Sequence, residues 1–314
     1  KITSFLFSAC IIFSIGCDRK PCSPPDWKEI SVIYDQVSGI GHEEGCTRRD
    51  PSDIIEIDGV WYVYYTKVFG QAAGYWGTVW AAKSLDNGYN WTEIGEVLGL
   101  GLTGTFDSQA TFTPNILSHK KKYYLYYTGV KPTPGRSDGV FENNSDNDFT
   151  GIGVAVSETP EGPFIRVSDK PIISVSKNLG DFDSYRVDDA VLMQRDKKFW
   201  MYYKGRSSNH GPQGPRHTRM GVAFADHPYG PFTKYEGNPI LDKSHEVLAW
   251  PQGPGVACLA SISSTLEYAP DGLDFNSNPL EVKVPNRPNA PGLFRPDLTK
   301  AQKCGELPAW GISM

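Results

Sequence analysis

This chain has little from which to build long helices or to grip a polyanion. Its 314 residues include 32 Gly and 24 Pro, which break helices and favour short strands joined by tight turns. No stripe of Lys and Arg runs along it and the net charge is -5, so nucleic acid is not an expected partner. The cysteines follow no zinc-ligand spacing, and no sequence signature demands a cofactor. Beyond Ile2–Ile15 there is no long apolar run, and those fourteen residues are too few to span a bilayer comfortably.

Aromatic residues are what the chain has in quantity. They reach 12%, with 16 Tyr and 8 Trp, while hydrophobic content is an ordinary 39%. A two-part pattern organises them. Arg48-Arg49-Asp50-Pro51-Ser52 precedes a strand, Trp61-Tyr62-Val63-Tyr64-Tyr65-Thr66. A second strand of this kind ends in Tyr124-Leu125-Tyr126-Tyr127-Thr128, and a third unit runs from Val187-Asp188-Asp189 to Trp200-Met201-Tyr202-Tyr203-Lys204. Gly151-Ile152-Gly153-Val154-Ala155 returns as Arg219-Met220-Gly221-Val222-Ala223, each followed by a turn and Gly-Pro-Phe. Repetition of this kind predicts stacked sheets around one axis, and this length suits a single all-β domain.

Five units are predicted, at about 47–98, 107–173, 183–241, 244–281 and 290–314. The fold class is therefore all-β, a five-bladed β-propeller. The short fifth unit is expected to borrow a strand from 31–36 to close the ring and hide its edges. The insertion Lys131–Phe149, rich in Gly and Asn, reads as a pocket-lining loop. A β-sandwich of irregular strands is the alternative.

The N-terminus reads as a targeting segment. Lys1 and the apolar run lead to Ser14-Ile15-Gly16-Cys17, which resembles a bacterial lipobox with Ser14 in place of the usual Leu. Residues 1–16 are then a lipoprotein-type signal, Cys17 the lipidation site, 17–30 a Pro-rich tether, and 31–314 the propeller. The expected place is an exported bacterial lipoprotein, periplasmic or at the cell surface, touching membrane only through that anchor. An ordinary cleaved signal is the alternative. Cys22, Cys46, Cys258 and Cys304 remain, and their pairing is open.

Inner strands of a propeller converge, so the polar residues that start them become neighbours. Here these are Asp50, Thr113, Asp188 and the pair His245-Glu246. Carboxylates and a further acid around one pocket are the groups that glycoside hydrolysis needs. Asp188 is preferred to Asp189 because Asp50–Thr66 and Asp188–Lys204 are both sixteen positions apart. Trp76 and Trp80 sit among Gly and Ala, where a ring could face a sugar or simply pack. Arg49, Gln109, Thr113, Arg186 and Glu246 are further substrate-contact candidates. His210 and His217 lie in a Gly/Pro loop and are left out of the site. A divalent cation is compatible with carboxylates and carbonyls meeting on an axis, and the metal is otherwise unknown.

Thr47-Arg48-Arg49-Asp50-Pro51-Ser52, taken with Lys243-Ser244-His245-Glu246-Val247-Leu248-Ala249-Trp250-Pro251, resembles glycoside hydrolase family 117 over about residues 36–314. Those enzymes are five-bladed propellers distantly similar to family 43. Their characterised members are exo-acting α-1,3-(3,6-anhydro)-L-galactosidases that work with inversion on agar fragments. The resemblance implies Asp50 as general base, Asp188 as supporting acid and His245 as general acid, with Glu246 beside it. Imidazole titrates near neutrality, which suits a proton donor. The resemblance also implies an oligosaccharide partner. Family members carry an N-terminal helix-turn-helix that is swapped in a dimer, whereas only a Pro-rich stretch stands here, so dimerisation is left open. Two other readings keep the fold: a family-43-like arabinofuranosidase or xylosidase with Glu246 as acid, and a glycan-binding surface lipoprotein without catalysis.

Overall fold

The computed structural model describes residues 30–31, 35–70, 77–131, 149–275, 280–283, 295–296 and 307–314, and the statements below refer to these. The signal, Cys17, nearly all of the tether, Trp76, Cys22, Cys304 and most of the 131–149 insertion lie outside them. The fold is an all-β propeller with one 3-10 segment, Ser208–His217.

Each blade grows outward in chain order by antiparallel pairing. Blade one has Cys46–Arg49 and Ile55–Ile57 as its broken inner strand, then Val60–Phe69, Thr78–Ser84 and Trp91–Leu98. Blade two runs Ala110–His119, Lys122–Lys131, Phe149–Ser157 and Ile165–Arg166, and blade three Arg186–Arg195, Lys198–Arg206, Arg219–Ala225 and Thr233–Lys234. Blade four runs Val247–Gln252, Gly255–Ala260, Thr265–Ala269 and Leu280–Lys283.

Four blades are seen where five were expected. Of the predicted fifth unit, the described residues hold only a two-stranded pair, Arg295–Pro296 with Gly311–Ile312. The closing strand also differs. Ile30–Ser31 joins the outer edge of blade four in parallel, Ile30 opposite Val282, instead of completing a fifth sheet. The C-terminal residues turn to blade one: Ile312 packs with Ile40, Ile54, Val63, Tyr65, Ala82 and Trp91. Among the described residues of this unit, the apolar side chains of 310–314 therefore serve a seam.

The Tyr-Tyr repeat follows from the two-residue period of a strand, which sends neighbouring rings to opposite faces. Tyr64 enters the seam between blades one and two, and Tyr65 the opposite face of blade one. Tyr126 and Tyr202 likewise enter the seam ahead of their blade, and Tyr127 and Tyr203 the one behind. The hydroxyls of the first set donate to carbonyls of the next blade: Tyr64 to Pro160, Tyr126 to Pro228, Tyr202 to Gly272. The glycines of the other repeat have a packing reason. The Phe106 ring lies so close over Gly153, and the Phe182 ring over Gly221, that an added Cβ would clash with them.

Candidate active site at the propeller axis

Three inner strands bend at the same place. Asp50, Thr113 and Asp189 have φ of 53°, 45° and 53°, in the left-handed region. Register is lost at these points, between Phe112 and Asn115 in blade two and between Asp188 and Val191 in blade three. Such bulges re-aim side chains, and a non-glycine residue held at positive φ costs about 1–3 kcal/mol. For Thr113, which is β-branched, the conformation is especially unfavourable. Three equivalent strained positions at one end of the fold are the strongest local sign of a site.

The backbone equivalent of Asp50 is thus Asp189. Arg49 pairs across its hairpin with Thr66, Phe112 with Thr128, and Asp188 with Lys204. Blade one carries one more residue in this hairpin than blades two and three. The sixteen-position spacing that matched Asp188 to Asp50 therefore joined residues one step out of register. Both aspartates are buried beside the axis. Asp188 Oδ1 lies 3.1 Å from Lys204 Nζ, and Asp189 Oδ2 accepts the Val247 N–H at 2.6 Å.

Asp50 and Glu246 share one electrostatic environment. Burial pushes the Asp50 carboxyl up from its ordinary range, Arg49 opposes this, Asp189 adds to it and Lys204 relieves it. The Arg49 Nε stands 3.3 Å from Asp50 Oδ2. Burial pushes Glu246 well above the ordinary carboxylate range against the pull of Lys204, and Asp189 and Asp50 push it further. Asp50, Asp189, Glu246 and Lys204 are therefore mutual neighbours, drawn from blades one, three and four.

His245 sits at the mouth of this cluster. Its side chain is 35% exposed, against 3% for Glu246, whose Oε1 lies 3.2 Å from the His245 Nε2. The other ring nitrogen is 3.4 Å from the hydroxyl of Thr218, a fully buried residue at the end of the 3-10 segment. The backbone N–H groups of His245 and Glu246 both donate to Ser261 Oγ. The imidazole thus has a solvent side and a buried carboxyl behind it.

The remaining candidates divide. Thr113 is at the axis, its hydroxyl 2.6 Å from that of Thr128 and its N–H donating to Thr66. Gln109 is buried at the start of the blade-two inner strand. Arg186 is buried with its guanidinium 4.8 Å over the Tyr185 ring. Trp80 is not brought to the acids: it lies on the third strand of blade one, its ring under the Lys67 ammonium at 4.2 Å. Lys204 and Thr218 were not singled out from the sequence. Lys204 follows its Tyr-Tyr pair, where a departure from Thr66 and Thr128 was visible. Thr218 had no local signal. Cys46 and Cys258 are in no disulfide among the described residues. No group of three or more His, Cys, Asp or Glu placed to hold a metal ion occurs among these residues.

A cavity of about 1370 Å³ lies off the axis between blades four and one. Ile40, Arg48, Trp250, Leu266 and Trp310 are among its lining residues, and none of the axial acids is.

A model of glycosyl hydrolases family 43 matches residues 77–191. The xylosidase/arabinosidase 43A of Humicola insolens is 33% identical over 99 residues, 31% of this chain and 23% of that protein. The match thus spans about a quarter of that relative's length. Among solved structures, Zg3597, a family 117 glycoside hydrolase produced by the marine bacterium Zobellia galactanivorans, superposes with a TM-score of 0.70 at 26% identity, over 87% of this chain and 80% of that one. Another structure, described as a glycoside hydrolase, gives a TM-score of 0.60 at 15% identity over 80% and 79% of the two chains, a likeness of fold alone. The chain resembles glycoside hydrolase family 117 over most of its length, and family 43 distantly.

Proposed function

We propose that this protein is an inverting, exo-acting glycoside hydrolase. Its substrate is the non-reducing end of an agar-type galactan oligosaccharide, from which it releases 3,6-anhydro-L-galactose or a related α-linked sugar. In the cell it acts as an exported lipoprotein anchored through Cys17. The observation that carries the reading is a buried aspartate on strained backbone, Asp50, in one charged cluster with buried Glu246, against which the partly exposed His245 stands.

In the proposed step, Asp50 takes a proton from water as its oxygen attacks the anomeric carbon. The glycosidic C–O bond breaks as His245 gives a proton to the leaving oxygen, and one water is consumed. Asp189, which pushes the carboxyls of both Asp50 and Glu246 up, is the acid that tunes them. Asp188 holds Lys204 in place. Arg49 favours the ionised form of Asp50, which a base requires.

One observation favours a second reading. Burial keeps Glu246 protonated above the ordinary carboxylate range, so it could itself be the acid, as in a family-43-like arabinofuranosidase or xylosidase. Neoagarobiose and a panel of arabinosides and xylosides separate the readings, with the product anomer followed by NMR. Release of anhydrogalactose, a fall of about 100-fold or more in His245→Ala and a smaller fall in Glu246→Gln are expected. The opposite order, with turnover of arabinosides or xylosides, replaces the first reading by the second. Calorimetric binding of oligosaccharides without turnover of any rejects both in favour of a binding protein.

A further inference from the structure

Lys204 stands where the other repeats carry a hydroxyl. Thr66 and Thr128 follow their Tyr-Tyr pairs and accept the N–H of the next blade's bent residue, Thr113 at 3.0 Å and Asp189 at 3.1 Å. A lysine accepts no hydrogen bond. Its Nζ instead lies 3.1 Å from Asp188 Oδ1, with the two side chains 8% and 2% exposed. Its charge also acts on Asp50 and on Glu246, where it is the foremost influence opposing burial.

The charged groups facing Lys204 come from three blades. Blade one supplies Asp50 and Arg49, blade three Asp188 and Asp189, and blade four Glu246 and, at the mouth, His245. Blade two supplies the uncharged Thr113 and Thr128. A buried cluster of carboxyls must be balanced by protons, by a metal ion or by a fixed cation. Protons would silence Asp50 as a base.

We propose that Lys204 is the built-in counter-ion of the axial acids, supplying the positive charge that a divalent cation would otherwise bring. The charge balance is independent of any activity, and its consequence for catalysis rests on the hydrolase reading. Without the ammonium, the cluster has to take up protons or recruit a cation. The carboxyls would then resist ionisation more strongly in the folded state. Stability would fall as pH rises above their ordinary values, because the unfolded chain releases those protons more readily.

The test is thermal melting of the full chain from pH 5 to 9, with EDTA or with millimolar Ca²⁺ and without substrate. Wild type is expected to melt alike with EDTA and with Ca²⁺. Lys204→Met is expected to melt lower, increasingly so at high pH, and to regain several degrees with Ca²⁺, while Lys204→Arg stays near wild type. Should Lys204→Met fail to fold, Lys204→Met/Asp188→Asn, with one carboxylate fewer, is expected to fold. A double variant that stays unfolded overturns the proposal, as does a Lys204→Met protein indifferent to Ca²⁺ and no more pH-sensitive than wild type. A wild type that itself melts lower in EDTA overturns it too. On substrate, the acidic limb of kcat/KM should move up by about one pH unit in Lys204→Met. If wild type cleaves no glycan, the functional reading falls while the melting curves still decide the role of Lys204.

Discussion

Buried carboxylates occur in two regions of this propeller, and they are handled in opposite ways. In the seams, Asp107 accepts the Tyr127 hydroxyl at 2.9 Å and Arg166 Nε at 2.6 Å. Asp183 repeats the arrangement with Tyr203 at 2.9 Å and Lys234 at 2.5 Å. At the axis, Asp50 and Glu246 are as deeply buried but stand among other acids, and their protons are held more tightly than usual. A seam acid spends its oxygens on tying strands together. An axial acid keeps them for another partner and carries a cost in stability. Burial by itself therefore does not separate a structural carboxylate from a reactive one; the completeness of its hydrogen bonding does.

The largest effect that can test this contrast is on catalysis. Asp50→Asn is expected to lower turnover by about 1000-fold, within the usual range for general bases, with no loss of melting temperature. Asp183→Asn should do the reverse. Weakening a buried pair should cost about 2–4 kcal/mol of stability, and turnover per folded molecule should hold. Kinetics and urea unfolding on the same preparations measure both. A seam variant that lost turnover while keeping its stability would erase the distinction.

Much of this contrast could be read from the chain, and the gaps have physical causes. The Tyr-Tyr pairs marked blades one to three, and the Gly-Ile-Gly-Val-Ala repeat blades two and three, because each is a local pattern with a fixed role. The fifth unit misled because closure is not local: Ile30–Ser31 pairs with Leu280–Lys283 across nearly the whole chain. Placing Asp188 in register with Asp50 failed by one residue, and one residue is enough to turn a strand's side chain to the other face. A bulge has no reliable sequence mark, so Asp189 gained its place only from the bend at φ 53°. Lys204 was visible as an oddity, but its meaning needed the cross-strand pairing with Asp188.

Glu246 offers an intermediate effect. Its native carboxyl binds its proton more tightly than in the unfolded chain. The native state therefore holds the extra proton, and stability falls as pH rises above about 4.5 toward the native value. Each unit of that elevation amounts to about 1.4 kcal/mol. Glu246→Gln keeps the shape and removes the ionisation. It is expected to be more stable than wild type at pH 8, with the gap closing towards pH 4. Urea unfolding across this range measures the gap, and parallel curves would mean that the axial acids are as comfortable as those in the seams.

The smallest effect completes the contrast from the seam side. Tyr126 is fully buried, and its hydroxyl donates to the Pro228 carbonyl of the next blade. Tyr126→Phe leaves the ring in place and one carbonyl without its donor, a loss of about 1 kcal/mol. Burial pushes the Tyr126 phenol well above its usual range, so it stays protonated wherever the protein is folded. The difference between Tyr126→Phe and wild type should therefore be flat from pH 5 to 9, unlike that of Glu246→Gln. A difference that changed with pH would require charge coupling between this seam and the axis, and the two regions would then have to be treated as one electrostatic unit.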